Sequence, residues 1–488
     1  MTEPLIYELS SPGRCGVFLP ELDVPRAALP EEYLRDDLPL PEVGEVDLVR
    51  HYMRLSQLNW GVDIGFYPLG SCTMKYNPKV NEEAAKLPGF ARTHPYQDHC
   101  SVQGNLQLMY ELQEFLKELG GFAGVSLQPA AGAHGEFTGI LMVRAYHEER
   151  GDTERKVILI PDSAHGTNPA STTMSGYTMV EIKSDERGNV DLEELKAHCD
   201  ERVAGLMLTN PNTLGLFDEH LMEVCRLVHN CGGLIYGDGA NFNAIMGICK
   251  QVDLGFDVMH YNLHKTFSTP HGGGGPGAGP VGANEKLAPY LPGPIVVKDG
   301  EECDCGCEPE EPCYHLVMPE KSIGRMKSFY GNFGVFVKAY TYVRMLGAEG
   351  LKQASQDAVL NANYLRARLK GLYPMSHDRV CMHEFVAMGK IGGAPDVHAL
   401  DISKRLMDYR FHPPTMYFPL IVPEALMIEP TETESKETLD AFANALIQIA
   451  DEAVKDPDLL HNAPHTTPVG RLDEVQAARE PILRYVPE

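Results

Sequence analysis

Apolar runs that fit buried β-strands alternate with helical patterns through the middle of the chain. The apolar runs cover residues 156–161, 178–182, 203–209, 234–237 and 258–261. Helical periods separate some of these runs, over residues 191–197 and 218–230. Alternation of this kind predicts an α/β fold with a mostly parallel sheet and helices on both of its faces.

The same patterns divide the chain into four predicted parts. Helices are expected at 105–119 and 137–150, before the first of these strands in the sequence, and residues 284–335 are predicted to be irregular. A long helix is then expected over 336–372, interrupted near 347–350. We predict an N-terminal arm and interface segment at 1–100, a large domain at 101–335, a smaller C-terminal α/β domain at 336–460 and a tail at 461–488.

Polar residues follow the predicted strands at the places where ligands bind in such folds. His165, Thr209, Asp238 and Lys265 each come just after an apolar run. In open α/β sheets, ligands bind beyond the carboxyl ends of the strands. Their shared placement therefore predicts one common site.

Lys265 and Asp238 indicate the chemistry of that site. The lysine lies in Asn-Leu-His-Lys-Thr-Phe, shortly before a glycine run at 272–275 that favours close backbone approach. A lone lysine is usually exposed, but these flanks favour a buried role. A lysine forms a Schiff base with pyridoxal 5'-phosphate (PLP), and an aspartate keeps the pyridine nitrogen protonated. The pair predicts carbanion chemistry on an amino acid.

A small-residue turn at 128–136 leads into a predicted helix. Such a turn presents free N–H groups and the positive end of the helix dipole, which suit a cofactor phosphate. No G-x-G-x-x-G sequence follows a predicted strand, so no nicotinamide site is expected.

Charge and composition narrow the choice of partners. The 488 residues carry a formal charge of −26, which argues against nucleic acid as a general partner. No apolar run approaches the roughly 18 residues of a membrane helix, so no membrane association is expected. The acidic N-terminus lacks a secretory pattern, and the cytoplasm is the expected location.

The 12 cysteines indicate a reduced protein, with one unusual cluster. Cys303, Cys305, Cys307 and Cys313 lie in an acidic stretch whose spacing differs from the usual zinc patterns. Metal or redox function, a local staple and an incidental loop all remain open for this cluster. No metal site is predicted elsewhere.

Several longer motifs resemble one family. They are PLGSCTMK (68–75), QPAAGAHGE (128–136), HGTNPA (165–170), TNPNT (209–213), DGAN (238–241), NLHKTF (262–267), SIGR (322–325) and EPTETE (429–434). Over residues 50–480 the chain resembles the P-protein of the glycine cleavage system, glycine dehydrogenase (decarboxylating). It is similar to the PLP-carrying half, which in two-subunit members is the separate subunit 2 (beta).

The resemblance implies a fold, an activity and partners. The implied fold is PLP fold type I, aspartate aminotransferase-like, with a large domain and a smaller C-terminal domain. The implied reaction decarboxylates glycine and transfers the aminomethyl group to the lipoyl group of the H-protein. The implied assembly is an α2β2 heterotetramer with subunit 1 (alpha).

The resemblance also implies roles for single residues. Lys265 would be the Schiff-base lysine, Asp238 would pair with the pyridine nitrogen, and His165 would stack on the ring. His264 would contact cofactor or substrate, or orient the lysine. Other residues expected beside the cofactor are Gly132, Ala133 and His134 near the phosphate, Thr209 near the ring hydroxyl, and Ala240.

Some alternatives stay open at the level of sequence. Arg325, Arg92 or a partner subunit would bind the substrate carboxylate. Another fold type I enzyme, such as a decarboxylase or a desulfurase, is a rival, although a desulfurase needs a mobile cysteine, for which the cluster beginning at Cys303 is the only candidate. A non-catalytic scaffold is a further rival, but it would lack the lysine that stands at 265.

Overall fold

The computed structural model describes residues 2–36, 38–271, 277–298 and 312–485. The glycine run at 272–275 and the cysteines at 303, 305 and 307 lie outside the described residues, so their predicted roles stay predictions. Thirteen α-helices and twelve β-strands occur within these ranges.

The helices are α1 (Glu45–Leu58), α2 (Lys79–Ala85), α3 (Pro88–Ala91), α4 (Gln103–Gly120), α5 (Gly132–Glu149), α6 (Thr167–Met174), α7 (Leu192–His198), α8 (Leu221–Asn230), α9 (Phe333–Leu369), α10 (Ala399–Asp408), α11 (Lys436–Lys455), α12 (Pro457–His461) and α13 (Glu474–Arg479). The strands are β1 (Gly124–Ser126), β2 (Val157–Pro161), β3 (Thr178–Ile182), β4 (Val203–Thr209), β5 (Leu234–Gly239), β6 (Val258–Tyr261), β7 (Val281–Ala283), β8 (Ile295–Lys298), β9 (Tyr314–Val317), β10 (Phe385–Met388), β11 (Thr415–Met416) and β12 (Ala425–Ile428).

Seven strands form the main sheet, in the order β1-β7-β6-β5-β4-β2-β3. The five strands from β3 to β6 pair in parallel, which confirms the predicted mostly parallel sheet. At one edge, β7 pairs antiparallel with β6, and β1 pairs antiparallel with β7. Sequence patterns missed both because each has three residues and each contains a glycine, too short for a periodic signal.

Helices cover both faces of this sheet, as the alternation predicted. Met207 of β4 packs in one hydrophobic cluster with Ile140 of α5. The next residue, Leu208, belongs to a separate cluster with Val224 of α8. Since neighbouring side chains of a strand point to opposite faces, α5 and α8 lie on opposite sides of the sheet.

The C-terminal part builds a second, smaller core. Strands β10, β12 and β11 form an antiparallel sheet in that order. Leu365 of α9, Ile428 of β12 and Phe442 of α11 pack together in its core. Helix α9 is interrupted at Gly347, whose φ of 63° is left-handed, so the predicted interruption is confirmed. The expectation that 284–335 is irregular is wrong in part, because β8 and β9 pair within it.

The N-terminal residues run along the surface with little regular structure before α1. Their apolar side chains are unusually exposed, with Phe18 at 93% and Leu19 at 84%. The tail returns to this region, where Tyr485 stacks on Tyr7. Across the described ranges, no helix is both long and apolar enough to cross a membrane.

Candidate active site

A cavity of about 440 Å³ opens at the carboxyl ends of the parallel strands. Its volume lies in the range of small-molecule sites. Most of the residues predicted for the site line it: Gly132, Ala133, His165, Thr209, Asp238, Ala240, His264 and Lys265. His134 is not among the lining residues; its ring instead accepts the backbone N–H of Ala130.

Lys265 lies on the short turn that follows β6. Its side-chain nitrogen donates to the backbone oxygen of Ser71, 2.8 Å away. Ser71 belongs to the segment between α1 and α2, which therefore reaches the cavity. The backbone N–H of Lys265 donates to Asn262 at 3.1 Å, which holds the lysine close to the end of the strand.

Asp238 lies near the end of β5 and is only 5% exposed. One carboxylate oxygen accepts the N–H of Ala240 at 2.9 Å, and the other accepts the side-chain amide of Asn168 at 3.3 Å. The Nε2 atom of His260 lies 3.6 Å away. The two hydrogen bonds, from Ala240 and Asn168, fix the orientation of the carboxylate, which lines the cavity.

Sequence reasoning missed a second buried acid, Glu136, in the first turns of α5. Its oxygens accept the hydroxyl of Thr167 at 2.8 Å and the amide of Asn168 at 3.2 Å. Burial, together with the charge of Asp238, raises the pKa of Glu136 to about 8. Asn168 thus links a mainly protonated acid to Asp238. The only sequence signal was the acid that closes the motif at 128–136.

The histidines of the cavity are held neutral. Burial lowers the pKa of His165, and it lowers the pKa of His264 to about 3, aided by Lys265 and His271. His271 also has a lowered pKa through burial and Lys265. Neutral imidazoles offer aromatic faces and a choice of donor or acceptor at each ring nitrogen.

The first residues of α5 form a close-fitting cradle beside the lysine. A Cβ added to Gly132 would approach the side-chain oxygen of Asn262 to 2.5 Å, so a glycine is required there. Gly132 and Ala133 line the cavity at the start of an 18-residue helix, where backbone N–H groups lack helical partners. This geometry suits an anionic group such as a phosphate.

The structure changes two expectations from the sequence, one about the cysteines and one about the arginines. Cys72 lines the cavity, whereas Cys313 is buried elsewhere, so the later cluster is not the only cysteine to weigh for a desulfurase. Burial raises the pKa of the Cys72 thiol, which opposes a nucleophilic role. Neither Arg92 nor Arg325 is among the described lining residues; Arg325 instead lies over the ring of Tyr330.

The donor set fits PLP. Thr209 presents a buried hydroxyl with no hydrogen-bond partner among the described residues, and it faces the cavity. An amine at Lys265, a carboxylate at Asp238 and the glycine cradle at Gly132 match an aldehyde, a pyridine nitrogen and a phosphate, respectively. The cavity therefore provides a partner for each polar part of the cofactor.

The architecture is that of the fold type I PLP enzymes. The crystal structure of glycine decarboxylase (P-protein) of the glycine cleavage system, in inhibitor-bound form, matches with a TM-score of 0.72 and 20% identity, over 86% of this chain and 93% of that chain. Glutamate decarboxylase from Lactobacillus brevis matches with a TM-score of 0.64 and 14% identity, over 90% and 96% of the two chains. At these identities the likeness shows the fold alone.

Sequence comparison identifies the family. Residues 43–399 match the family model for the glycine cleavage system P-protein, and residues 354–465 match the glycine dehydrogenase C-terminal domain. A probable glycine dehydrogenase (decarboxylating) subunit 2 from Caldanaerobacter subterraneus is 60% identical, over 99% of this chain and 98% of the relative. A protein of the same name from Halalkalibacterium halodurans is 57% identical over the same shares. The chain belongs to the glycine cleavage system P-protein family.

Proposed function

We propose that this protein decarboxylates glycine with PLP and transfers the aminomethyl group to the lipoyl group of the H-protein, as subunit 2 of glycine dehydrogenase. The observation that carries the proposal is the joint placement of Lys265 and Asp238 in one cavity, in a chain of the P-protein family. The scaffold alternative has no need of a lysine or a carboxylate at these two positions.

Each part of the cofactor has an assigned partner. Lys265 would hold the aldehyde carbon covalently, and Asp238 would hold the proton on the pyridine nitrogen. Gly132 and Ala133 would bind the phosphate through backbone N–H groups. The Thr209 hydroxyl would donate to the ring oxygen. When bound, PLP supplies an electron-accepting ring that stabilises a carbanion next to the substrate nitrogen.

The chain's own residues would organise the reaction around that ring. Lys265 would hold the cofactor in place of the amino group of glycine whenever no substrate is bound. Asp238 would face the pyridine nitrogen, and Glu136, whose pKa is raised to about 8 by burial and by Asp238, would stay mainly protonated beside it. His165 covers one ring face, and His264 lies beside the lysine. The lipoyl disulfide on the H-protein accepts the electron pair, so no nicotinamide is needed.

Visible absorbance tests this proposal directly. Purified wild-type protein with PLP is expected to show a band of the lysine-bound cofactor that shifts on addition of glycine. Lys265→Ala should lack that band, whereas Lys286→Ala, an exposed lysine outside the cavity, should keep it. A wild-type chain that stays colourless with PLP would overturn the catalytic proposal in favour of a scaffold.

We further propose that the exposed arm, residues 10–36 and 38–42, packs against subunit 1 (alpha) in an α2β2 assembly in the cytoplasm. Contiguous apolar residues on a surface mark interaction sites, and here they include Val17, Phe18 and Leu19. Replacing Phe18 and Leu19 by serine should reduce the mass seen by light scattering of the two co-expressed subunits. An unchanged heterotetramer in that variant would refute this role for the arm.

A further inference from the structure

A strained turn, Ser71 to Thr73, lies directly over the proposed catalytic lysine. The carbonyl oxygen of Ser71 accepts the side-chain nitrogen of Lys265 at 2.8 Å. Ser71 has a φ of 68° and Thr73 a φ of 45°, both in the left-handed region that non-glycine residues rarely adopt. Such a turn persists only where its surroundings hold it in place.

Two glutamates from the small domain hold this turn. Glu384 accepts the backbone N–H of Ser71 at 2.7 Å. Glu429 accepts both the backbone N–H of Thr73, at 2.9 Å, and its hydroxyl, at 2.6 Å. Both carboxyl groups are 0% exposed, so water does not compete for these bonds.

The small-domain sheet places the two acids side by side. Phe385 of β10 pairs with Ile428 of β12 at the end of their antiparallel ladder. Glu384 and Glu429 are the next residues beyond that pair, so both side chains leave the same end of the sheet. Ligand atoms of the two acids and of His383 all lie within 4.8 Å of one another.

The same two acids also contact the segment that follows Asp238. The amide of Asn241 donates to Glu384 at 3.4 Å, and the amide of Asn243 donates to Glu429 at 3.3 Å. The pair therefore connects the turn over the lysine with the loop that leaves β5. No other group in the described ranges joins these segments through buried side-chain carboxylates.

We propose that Glu384 and Glu429 are positioning residues for Lys265: they hold the Ser71–Thr73 turn so that the Ser71 carbonyl fixes the lysine nitrogen toward the cofactor. This rests on the proposed function, because it assigns Lys265 the task of capturing PLP. The two acids act through the turn and need not touch the cofactor themselves.

A shared proton explains how two acids share one buried site. Burial raises the pKa of Glu429 to about 7 and raises the pKa of Glu384 well above its usual value, with the charge of Glu429 adding to the effect. The pair therefore keeps at least one proton near neutral pH. A divalent ion bound by these acids and His383 is the competing explanation, since neither ring nitrogen of His383 has a hydrogen-bond partner in the described ranges, and Nε2 lies 3.7 Å from Glu384. Against it, the carboxylate oxygens already accept backbone and side-chain donors.

Replacement of each acid by alanine and by glutamine separates two effects, the loss of the hydrogen bonds to the turn and the loss of the carboxyl charge. Glu384→Ala and Glu429→Ala should capture added PLP about tenfold more slowly, the scale expected when a reacting group is misplaced by a fraction of an ångström. Glu384→Gln and Glu429→Gln reproduce a neutral acid and should stay within about threefold of wild type. A second readout uses cofactor-free protein: the rate at which Lys265 is acetylated, followed by peptide mass spectrometry, should change in the alanine variants and recover in the glutamine variants.

Asp401→Ala is the matched control. Asp401 is also a buried acid of the small domain. Its carboxylate accepts the backbone N–H of His398 and the guanidinium of Arg471, neither of which belongs to the turn. It should lower the melting temperature without changing PLP capture or the acetylation of Lys265. If an alanine variant of either glutamate does not fold, Thr73→Val removes one bond to Glu429 with little change of shape and should slow PLP capture.

Three results would overturn the proposal. The first is unchanged PLP capture in folded alanine variants of Glu384 and Glu429. The second is unchanged capture in Thr73→Val. The third is that Asp401→Ala slows PLP capture as much as the two glutamate variants do. A stoichiometric divalent ion in wild-type protein, whose removal by a chelator reproduces the alanine defect, would replace positioning with a metal site. A wild-type chain that binds no PLP at all would instead refute the proposed function, and acetylation of Lys265 would still test the positioning role.

Discussion

Thr209 and Asp238 face each other in register across β4 and β5, at the carboxyl ends of the two strands. The pairing brings a buried hydroxyl that has no hydrogen-bond partner among the described residues next to a buried carboxylate that has two. Parallel strands end at one edge of the sheet, so this juxtaposition follows from the topology itself. The two residues therefore differ: within the described part of the chain, Asp238 has hydrogen-bond donors for both carboxylate oxygens, whereas the Thr209 hydroxyl has no partner.

Asp238→Asn should abolish most of the proposed activity. The amide keeps the shape and the hydrogen bond from Ala240, but it removes the charge that would hold a proton on the pyridine nitrogen. We expect a loss of glycine-dependent CO2 release of at least about a hundredfold, the scale seen when a preorganised charge is removed from an active site. Release of labelled CO2 from carboxyl-labelled glycine, in the presence of subunit 1 and H-protein, measures it.

Asp218→Asn is the control for the charge at Asp238. Asp218 is equally buried, and its carboxylate accepts the backbone N–H groups of Val190 and His220, outside the cavity. Its substitution should lower stability but leave CO2 release within about twofold, as for changes remote from the chemistry. Equal losses in both variants would show that burial of the acid, rather than charge beside the cofactor, explains the effect.

Thr209→Val should stabilise the cofactor-free protein and weaken PLP binding. The unpaired buried hydroxyl costs about 1 kcal/mol or more, and valine removes that cost at nearly constant shape. With PLP present, the lost donor reduces affinity instead. Melting curves without cofactor and a PLP titration by absorbance would show the two opposite signs.

Thr266→Val is a matched control for the hydroxyl. Thr266 has an equally buried hydroxyl without a partner among the described residues, but it does not line the cavity. It should raise the melting temperature without weakening PLP binding. If Thr209→Val binds PLP as tightly as wild type, the assignment of its hydroxyl to the ring oxygen is wrong.

The sequence predicted those site residues that lie at the end of a strand, and it missed those that reach the site from distant parts of the chain. Asp238 and Lys265 could be predicted because a continuous apolar run reveals each strand, and Asp238 lies near the end of β5 whereas Lys265 lies just after β6. Ser71, by contrast, reaches the lysine from 194 positions away along the chain. Glu384 and Glu429 reach the turn through a different domain, and no periodic pattern encodes that contact. Short strands such as β1 were missed because three residues cannot establish a period.

Gly132→Ala tests the cradle at the start of α5. The added methyl group would meet the Asn262 side chain at 2.5 Å, so Asn262 or the helix must move. Overpacking of this kind costs about 1–3 kcal/mol, and we expect PLP affinity to fall accordingly. Inorganic phosphate should also protect the variant less than wild type against thermal unfolding.

Gly166→Ala provides the comparison for Gly132. Gly166 precedes α6 with a φ of −60°, and a Cβ there meets nothing within 4 Å. Its PLP affinity should match that of wild type. Equal affinity for PLP in the two variants and the wild type would mean that the phosphate binds elsewhere.

Glu136→Gln should change how stability depends on pH in the cofactor-free protein. Folded Glu136 keeps its proton up to about pH 8, whereas the usual value is 4.5. Between these values the folded chain binds more protons than the unfolded chain, so this group's contribution to the free energy of unfolding falls as pH rises. Glutamine does not titrate, and the variant should therefore gain melting temperature relative to wild type from pH 5 to pH 8.

Glu148→Gln, on the exposed end of the same helix, should show no such trend. A pH-independent difference between Glu136→Gln and wild type would mean that Glu136 is ionised in the folded protein, and that Asn168 then bridges two negative charges beside the cofactor.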